Sequence, residues 1–248
     1  MSDFVIVIPS RYASTRLPGK PLREINGKTM LEHVYERGTE SAAREVVIAT
    51  DDERIAEAAE VFGARVCMTG NQHRSGTERI AEVCDLMDWD DDKIVVNLQG
   101  DEPTMPAALI DQCAELLQKG PADIATLASP IASHEDFENP NVVKVVLAND
   151  GNAIYFSRAS IPYARVDDHP TEARSAALHH HGIYAYRCGV LRRLVAAEPS
   201  DLEVCEQLEQ LRALSLGMTI RVAIPVERPG PGVDTEEDLA TAATKLPH

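Results

Sequence analysis

FVIVIPSRYASTRLPGKP, residues 4–21, runs a short apolar segment straight into a loop crowded with cations. The apolar part reads as a strand. Outward from it, similar runs alternate with segments of helical period. VIVI at 5–8 is followed by a helix near 29–42, VVIA at 46–49 by a helix near 53–62, and ARVCM at 64–68 by a helix near 77–88. IVVNL at 94–98 then precedes a helix near 106–118. Strand, helix, strand repeated in this way predicts an α/β fold whose largely parallel sheet is covered on both faces. Such sheets bind ligands beyond the carboxyl ends of their strands, so the loops after VIVI and IVVNL are the first places to look.

The rhythm changes after residue 120, where IATLAS, VVKVVL, AIYF and GIYAY follow closely around a polar, proline-containing loop at 162–177. These predict a mostly antiparallel extension. Helical pattern resumes near 188–196 and 202–215, and the second segment places Val204, Leu208 and Leu211 on one face. TIRVAI at 219–224 reads as a strand, and a last helix starts after Asp234. With no repeat, low-complexity tract or long linker, residues 1–248 read as a single domain, with a strand-rich subdomain over about 120–190.

At 248 residues the chain can bury a core without disulfides or a structural metal. Its five cysteines are odd in number and lack any CxxC pair, so they read as reduced residues of a cytoplasmic protein. No run approaches the roughly 20 apolar residues of a membrane span, and the start lacks the pattern of a signal peptide. A formal charge of −16 argues against nucleic acid or an anionic membrane as partner. Locally the balance reverses: Arg11, Arg16, Lys20, Arg23 and Lys28 face a single acid, Glu24, between residues 10 and 28. That loop suits a small anionic ligand.

Several residues have two readings on local pattern alone. The basic loop can surround a triphosphate with backbone N–H groups and fixed charges, or it can be a solvated surface. Asp101, at the end of IVVNLQGDEP (94–103), can hold a divalent cation at a strand's carboxyl edge or can begin a turn. Asp234, with Glu237 three residues on, reads first as a helix N-cap. Ser75 can cap the following helix or meet a nucleotide. In His179-His180-His181, strand alternation turns His180 to the face opposite its neighbours, a poor arrangement for a metal.

Taken together, IPSRYASTRLPGKPL (8–22), SGTER (75–79), NLQGDEP (97–103), YFSR (155–158), HHGIYAYR (180–187), LEQLR (208–212) and GVDTEEDL (232–239) resemble the CMP-Kdo synthetase family, in order and over nearly the full length. The resemblance implies a three-layer, nucleotide-diphospho-sugar transferase-like (Rossmann-like) fold and a magnesium-dependent cytidylyltransferase. Such an enzyme joins CTP to Kdo, 3-deoxy-D-manno-octulosonate, and releases pyrophosphate for lipopolysaccharide biosynthesis. It also implies a homodimer. By resemblance, Pro9, Ser10, Arg11, Arg16, Lys20, Ser75 and Gln99 bind CTP, and Lys20, Asp101 and Asp234 are catalytic. Asp101 and Asp234 hold magnesium in this reading, while Arg158, His180, Tyr184, Glu209 and Gln210 bind Kdo. The chain departs from the family at His181, where the family commonly has Ile.

Overall fold

The computed structural model describes residues 3–13, 17–165 and 170–246. Their strands are β1 (Phe4–Pro9), β2 (Glu24–Ile25), β3 (Lys28–Thr29), β4 (Glu45–Thr50), β5 (Arg65–Met68), β6 (Ile94–Asn97) and β7 (Ile124–Pro130), followed by β8 (Lys144–Leu147), β9 (Ala153–Ser157), β10 (Ala177–Arg187) and β11 (Ile220–Ala223). β2 and β3 form a separate small hairpin. The others make one nine-stranded sheet with the order β11-β7-β10-β6-β1-β4-β5. β1 runs parallel to β4 and β6, β4 to β5, and β7 to β11, while β10 inserts antiparallel between β6 and β7. β8 and β9 extend the sheet antiparallel from β10.

The continuous hydrophobicity of β1 follows from its central place. Val5 and Val7 point to one face, against Ile80, Val83 and Cys84 of the helix Gly76–Leu86 and Leu191 of the helix Cys188–Val195. Phe4, Ile6 and Ile8 point to the other, against Leu31 and Val34 of Met30–Thr39, Ile55 of Glu53–Val61 and Ile110 of Ala107–Gln118. A strand covered on both sides needs apolar residues at every position. Thr29, Asp52 and Ser75 start three of these helices, each side chain accepting from a first-turn N–H.

One helix differs from its sequence reading. Residues 202–215 do not form a continuous helix: Asp201–Glu206 ends where Gln207 turns left-handed (φ 53°, ψ 48°), and Gln210–Ser215 starts afresh. Leu208 and Leu211 are buried as periodicity predicts, but Val204 is exposed. A buried ion pair holds the break. Arg212 donates from Nε and Nη2 to both oxygens of Glu203, at 2.7 and 2.5 Å, and neither side chain is more than 12% exposed. Removing one partner strands a desolvated charge. Arg212→Met should therefore lower the unfolding free energy by about 3–5 kcal/mol in urea denaturation. A loss below about 1 kcal/mol would place the pair among exposed ones of little worth.

Candidate active site at the carboxyl edge of the sheet

The loops after β1 and β6 meet at the carboxyl edge. Ser10 N–H donates to Ala49 O at 2.8 Å, and Gly100 lies so close to the first loop that a Cβ there would stand 3.1 Å from Pro9 O. A side chain at 100 would push the two loops apart. Gly19 is left-handed (φ 65°) against the ring of Tyr12, and it launches the short helical turn Lys20–Leu22. Arg54 lies over the other part of this anchor, 3.4 Å from the Tyr12 ring centroid.

Asp234 reaches the same place from the far end of the chain. Val233 N–H donates to Asp101 O at 2.8 Å, and Thr104 Oγ1 donates to Pro231 O at 3.0 Å. These bonds set Asp234 beside Asp101, and Lys20 Nζ donates to both carboxylates, at 2.8 Å to Asp101 and 2.9 Å to Asp234. Burial alone would lower the Lys20 pKa, but the two carboxylates outweigh it and raise it. Burial also pushes Glu102 up to about 8, helped by the nearby charge of Asp101.

Asp234 is not the cap of the last helix. Thr235 takes that role: its side chain accepts from Asp238 N, and Asp238 returns a bond to the Thr235 backbone, completing a capping box one residue later than the sequence pattern suggested. The Asp234 carboxylate is thereby turned to Lys20.

These groups border a cavity of about 430 Å³. Pro9, Ser10, Arg11, Lys20, Ser75 and Gln99 line it, with Asp101 and Asp234. Arg16 lies outside the described residues. Ser10 Oγ is buried there with no hydrogen-bond partner among the described residues, a polar atom suited to a ligand. The first turn of Gly76–Leu86 also borders the cavity through Ser75 and Gly76, and a helix N-terminus favours an anion. Sequence reading missed Arg79, which lines the cavity, is 4% exposed and pairs with Asp51 at 2.8 Å. A signal existed: Arg79 stands four residues before buried Val83, a charge on the apolar face of its helix.

The five residues read as sugar ligands lie elsewhere, and none borders this cavity. Glu209 comes nearest. Its carboxylate accepts from Ser75 Oγ at 2.7 Å and from Thr77 Oγ1, although helical periodicity leaves it solvated. The break at Gln207 accounts for the difference, because it re-aims the second helix. Gln210 opens that helix. Tyr184 is buried beside His180 and Tyr186, and its hydroxyl has no partner among the described residues. Burial, then the neighbouring Tyr186 and Glu209, raises its pKa. The Arg158 guanidinium donates to Pro140 O and Glu206 O at 3.1 and 2.8 Å. His180 is buried on the face of Phe156 and Tyr184, whereas His179 and His181 face each other on the other side, 4.9 Å apart. His181 meets Ser129 Oγ at 2.9 Å and borders a second cavity of about 910 Å³.

A parallel-stranded sheet whose carboxyl edge joins a cationic loop, a helix N-terminus and paired carboxylates defines a nucleotide-handling α/β protein, and residues 5–220 match the family model for cytidylyltransferases. A structure of CMP:2-keto-3-deoxy-manno-octonic acid synthetase complexed with CTP is 43% identical, with a TM-score of 0.89 over 99% of this chain and 100% of that one. The chain belongs to the cytidylyltransferases, and within them to the CMP-Kdo synthetase family. Two further structures share the fold. A cytidylyltransferase from Leptospira borgpetersenii serovar Hardjo-bovis (strain JB197) is 19% identical (TM-score 0.63, 98% of this chain and 86% of that one). A 4-diphosphocytidyl-2C-methyl-D-erythritol synthase is 18% identical (TM-score 0.63, 98% and 99%).

Because cap and carboxylate occupy neighbouring residues, they separate by mutation. Asp234→Asn should reduce turnover at least about 100-fold while shifting stability by no more than about 0.5 kcal/mol, since the side chain is 46% exposed. Thr235→Ala should do the reverse, costing about 1 kcal/mol in thermal or urea unfolding with turnover largely kept. Unimpaired turnover in Asp234→Asn would remove Asp234 from the chemistry.

Proposed function

We propose that the chain transfers CMP from CTP to Kdo, forming CMP-Kdo and pyrophosphate. The observation that carries this reading is the convergence of Asp101 and Asp234 on Lys20 at the mouth of a cation-lined cavity. Two carboxylates fit magnesium, which prefers one or two such ligands with phosphate oxygens and water. Among the described residues no group of three or more His, Cys, Asp or Glu side chains could hold a metal, so substrate oxygens and water would have to complete the shell. When bound, the ion would offset charge on the triphosphate.

The remaining work falls to the chain's own groups. Pro9, Ser10 and Arg11, with Arg16 and Lys20, hold the phosphates, while Ser75 and Gln99 meet the cytidine portion. The anomeric hydroxyl of Kdo attacks the α-phosphorus in line, and the bond from that phosphorus to the β-phosphate oxygen breaks. Positioning and charge neutralisation drive such transfers, with no protein nucleophile required. Arg158, His180, Tyr184, Glu209 and Gln210 hold the sugar. In the full reading, the subdomain at about 120–190 provides sugar contacts and a homodimer surface, and the enzyme serves lipopolysaccharide biosynthesis in the cytoplasm. No helix among the described residues is long and apolar enough to cross a membrane.

Pyrophosphate release with CTP and magnesium tests the reading directly. Kdo should support turnover, whereas sialic acid or omission of sugar should give background only, and equal rates with sialic acid would reject the choice of sugar. Lys20→Ala should weaken CTP binding by about ten- to a hundred-fold in calorimetric titration, the scale of charge-assisted bonds. Unchanged CTP affinity and turnover would return the basic loop to the surface.

A further inference from the structure

Between His181 and Tyr184 the pairing of β10 with β7 slips: His181 stands opposite Leu127, but Tyr184 stands opposite Thr126. Such a bulge disturbs the ladder and leaves backbone groups to be satisfied in other ways. Thr126, fully buried, does so here. Its Oγ1 lies 2.6 Å from Ile183 O and 3.3 Å from His181 O, and also 3.0 Å from His180 Nε2. Carbonyl oxygens only accept, and a threonine hydroxyl has one proton, so that proton belongs to the bulge carbonyls. The hydroxyl then meets Nε2 with a lone pair, and Nε2 must carry hydrogen.

The consequence falls on the other ring nitrogen. Burial, with the neighbouring His181 and His179, drives the His180 pKa down to about 3, so the ring is neutral at pH 7. Nδ1 therefore holds a bare lone pair, and it takes no hydrogen bond from the described residues. The ring is wedged between the Phe156 edge (centroids 5.0 Å apart, planes at 80°) and Tyr184 (5.2 Å), which opposes its flipping to exchange the two nitrogens.

We propose that Thr126 is a positioning and specificity-determining residue that holds His180 as the Nε2–H tautomer, so that Nδ1 accepts from a hydroxyl of the sugar and does not bind its carboxylate. This rests on the reading of His180 as a sugar ligand. An imidazole with only an acceptor to offer cannot stabilise an anion, so the sugar's carboxylate is left to a permanent cation. The histidine then reads hydroxyl placement, a property that separates one sugar acid from another.

Long-range proton–nitrogen correlation spectra of nitrogen-15 histidine-labelled protein at pH 7, with His180 assigned by loss of its signals in His180→Gln, read the tautomer directly. The wild type should show a protonated Nε2 and an unprotonated Nδ1. In Thr126→Val that signature should change and the KM for Kdo should rise roughly five- to a hundred-fold, with CTP affinity in the absence of sugar unchanged. Thr126→Ser, which keeps the hydroxyl, should restore both. A protonated Nδ1 in the wild type overturns the proposal even if Thr126→Val fails to fold. A changed tautomer in Thr126→Val with unchanged KM for Kdo overturns the role in recognition. Wild-type protein that shows the expected tautomer but no turnover with Kdo fails the functional reading, and the sugar half of this proposal with it. The wrong tautomer with normal turnover sinks the proposal alone.

Discussion

Like charges repel, so Asp101 and Asp234 side by side call for a cation between them, and Lys20 supplies it at 2.8 and 2.9 Å. The three residues are far apart in sequence, Lys20 being 81 positions from Asp101 and 214 from Asp234. Much of the architecture can be understood as bringing them together. Parallel β1 and β6 put the Lys20 and Asp101 loops on one edge, and the backbone bond from Val233 to Asp101 draws in the third. The ammonium thus lies between the two carboxylates, and all three groups border the cavity.

The region around β10 and the start of the helix Gly76–Leu86 is built on different physics. It has few charges in contact and many buried polar groups, among them His180, Tyr184, Tyr186 and Thr77. In so dry a place an unpaired donor or acceptor is costly, and the Tyr184 hydroxyl has no partner among the described residues. Glu209 ties Ser75 and Thr77 at the start of the helix Gly76–Leu86, so the same helix that presents its N-terminus to the cavity is braced by the chain after Gln207. The Arg212–Glu203 pair maintains the chain break that makes this bracing possible. Stability and site geometry are therefore coupled through one buried ion pair, with Glu209 as the link.

Much was legible from residues alone because the physics was local. Buried parallel strands demand unbroken apolar runs, so FVIVIP and IVVNL declared the sheet and the carboxyl edge where the cavity lies. Alternation turned His180 away from His179 and His181, as found. Arg11 and Lys20 after the first strand and Asp101 after IVVNL, legible as charges beside apolar runs, border the same cavity. Motifs spread in order along the chain identified the family, a result that the 43% identical structure supports.

Tertiary structure alone decided the rest, because these features depend on contacts between distant segments. Local pattern favoured Asp234 as a cap; the choice between it and Thr235 turned on where Asp101 and Lys20 lie. Periodicity continued the helix across Gln207, since it cannot register a buried Arg212–Glu203 pair that stabilises two shorter helices and a left-handed turn. Glu209 looked solvated for the same reason. Thr126 was an ordinary strand residue in the sequence, and only the slip between β7 and β10 brought its hydroxyl to 2.6 Å from Ile183 O and 3.0 Å from His180 Nε2. Sequence determines which groups are available, but a hydrogen bond or ion pair between distant segments exists only once packing has set its distance and removed competing water.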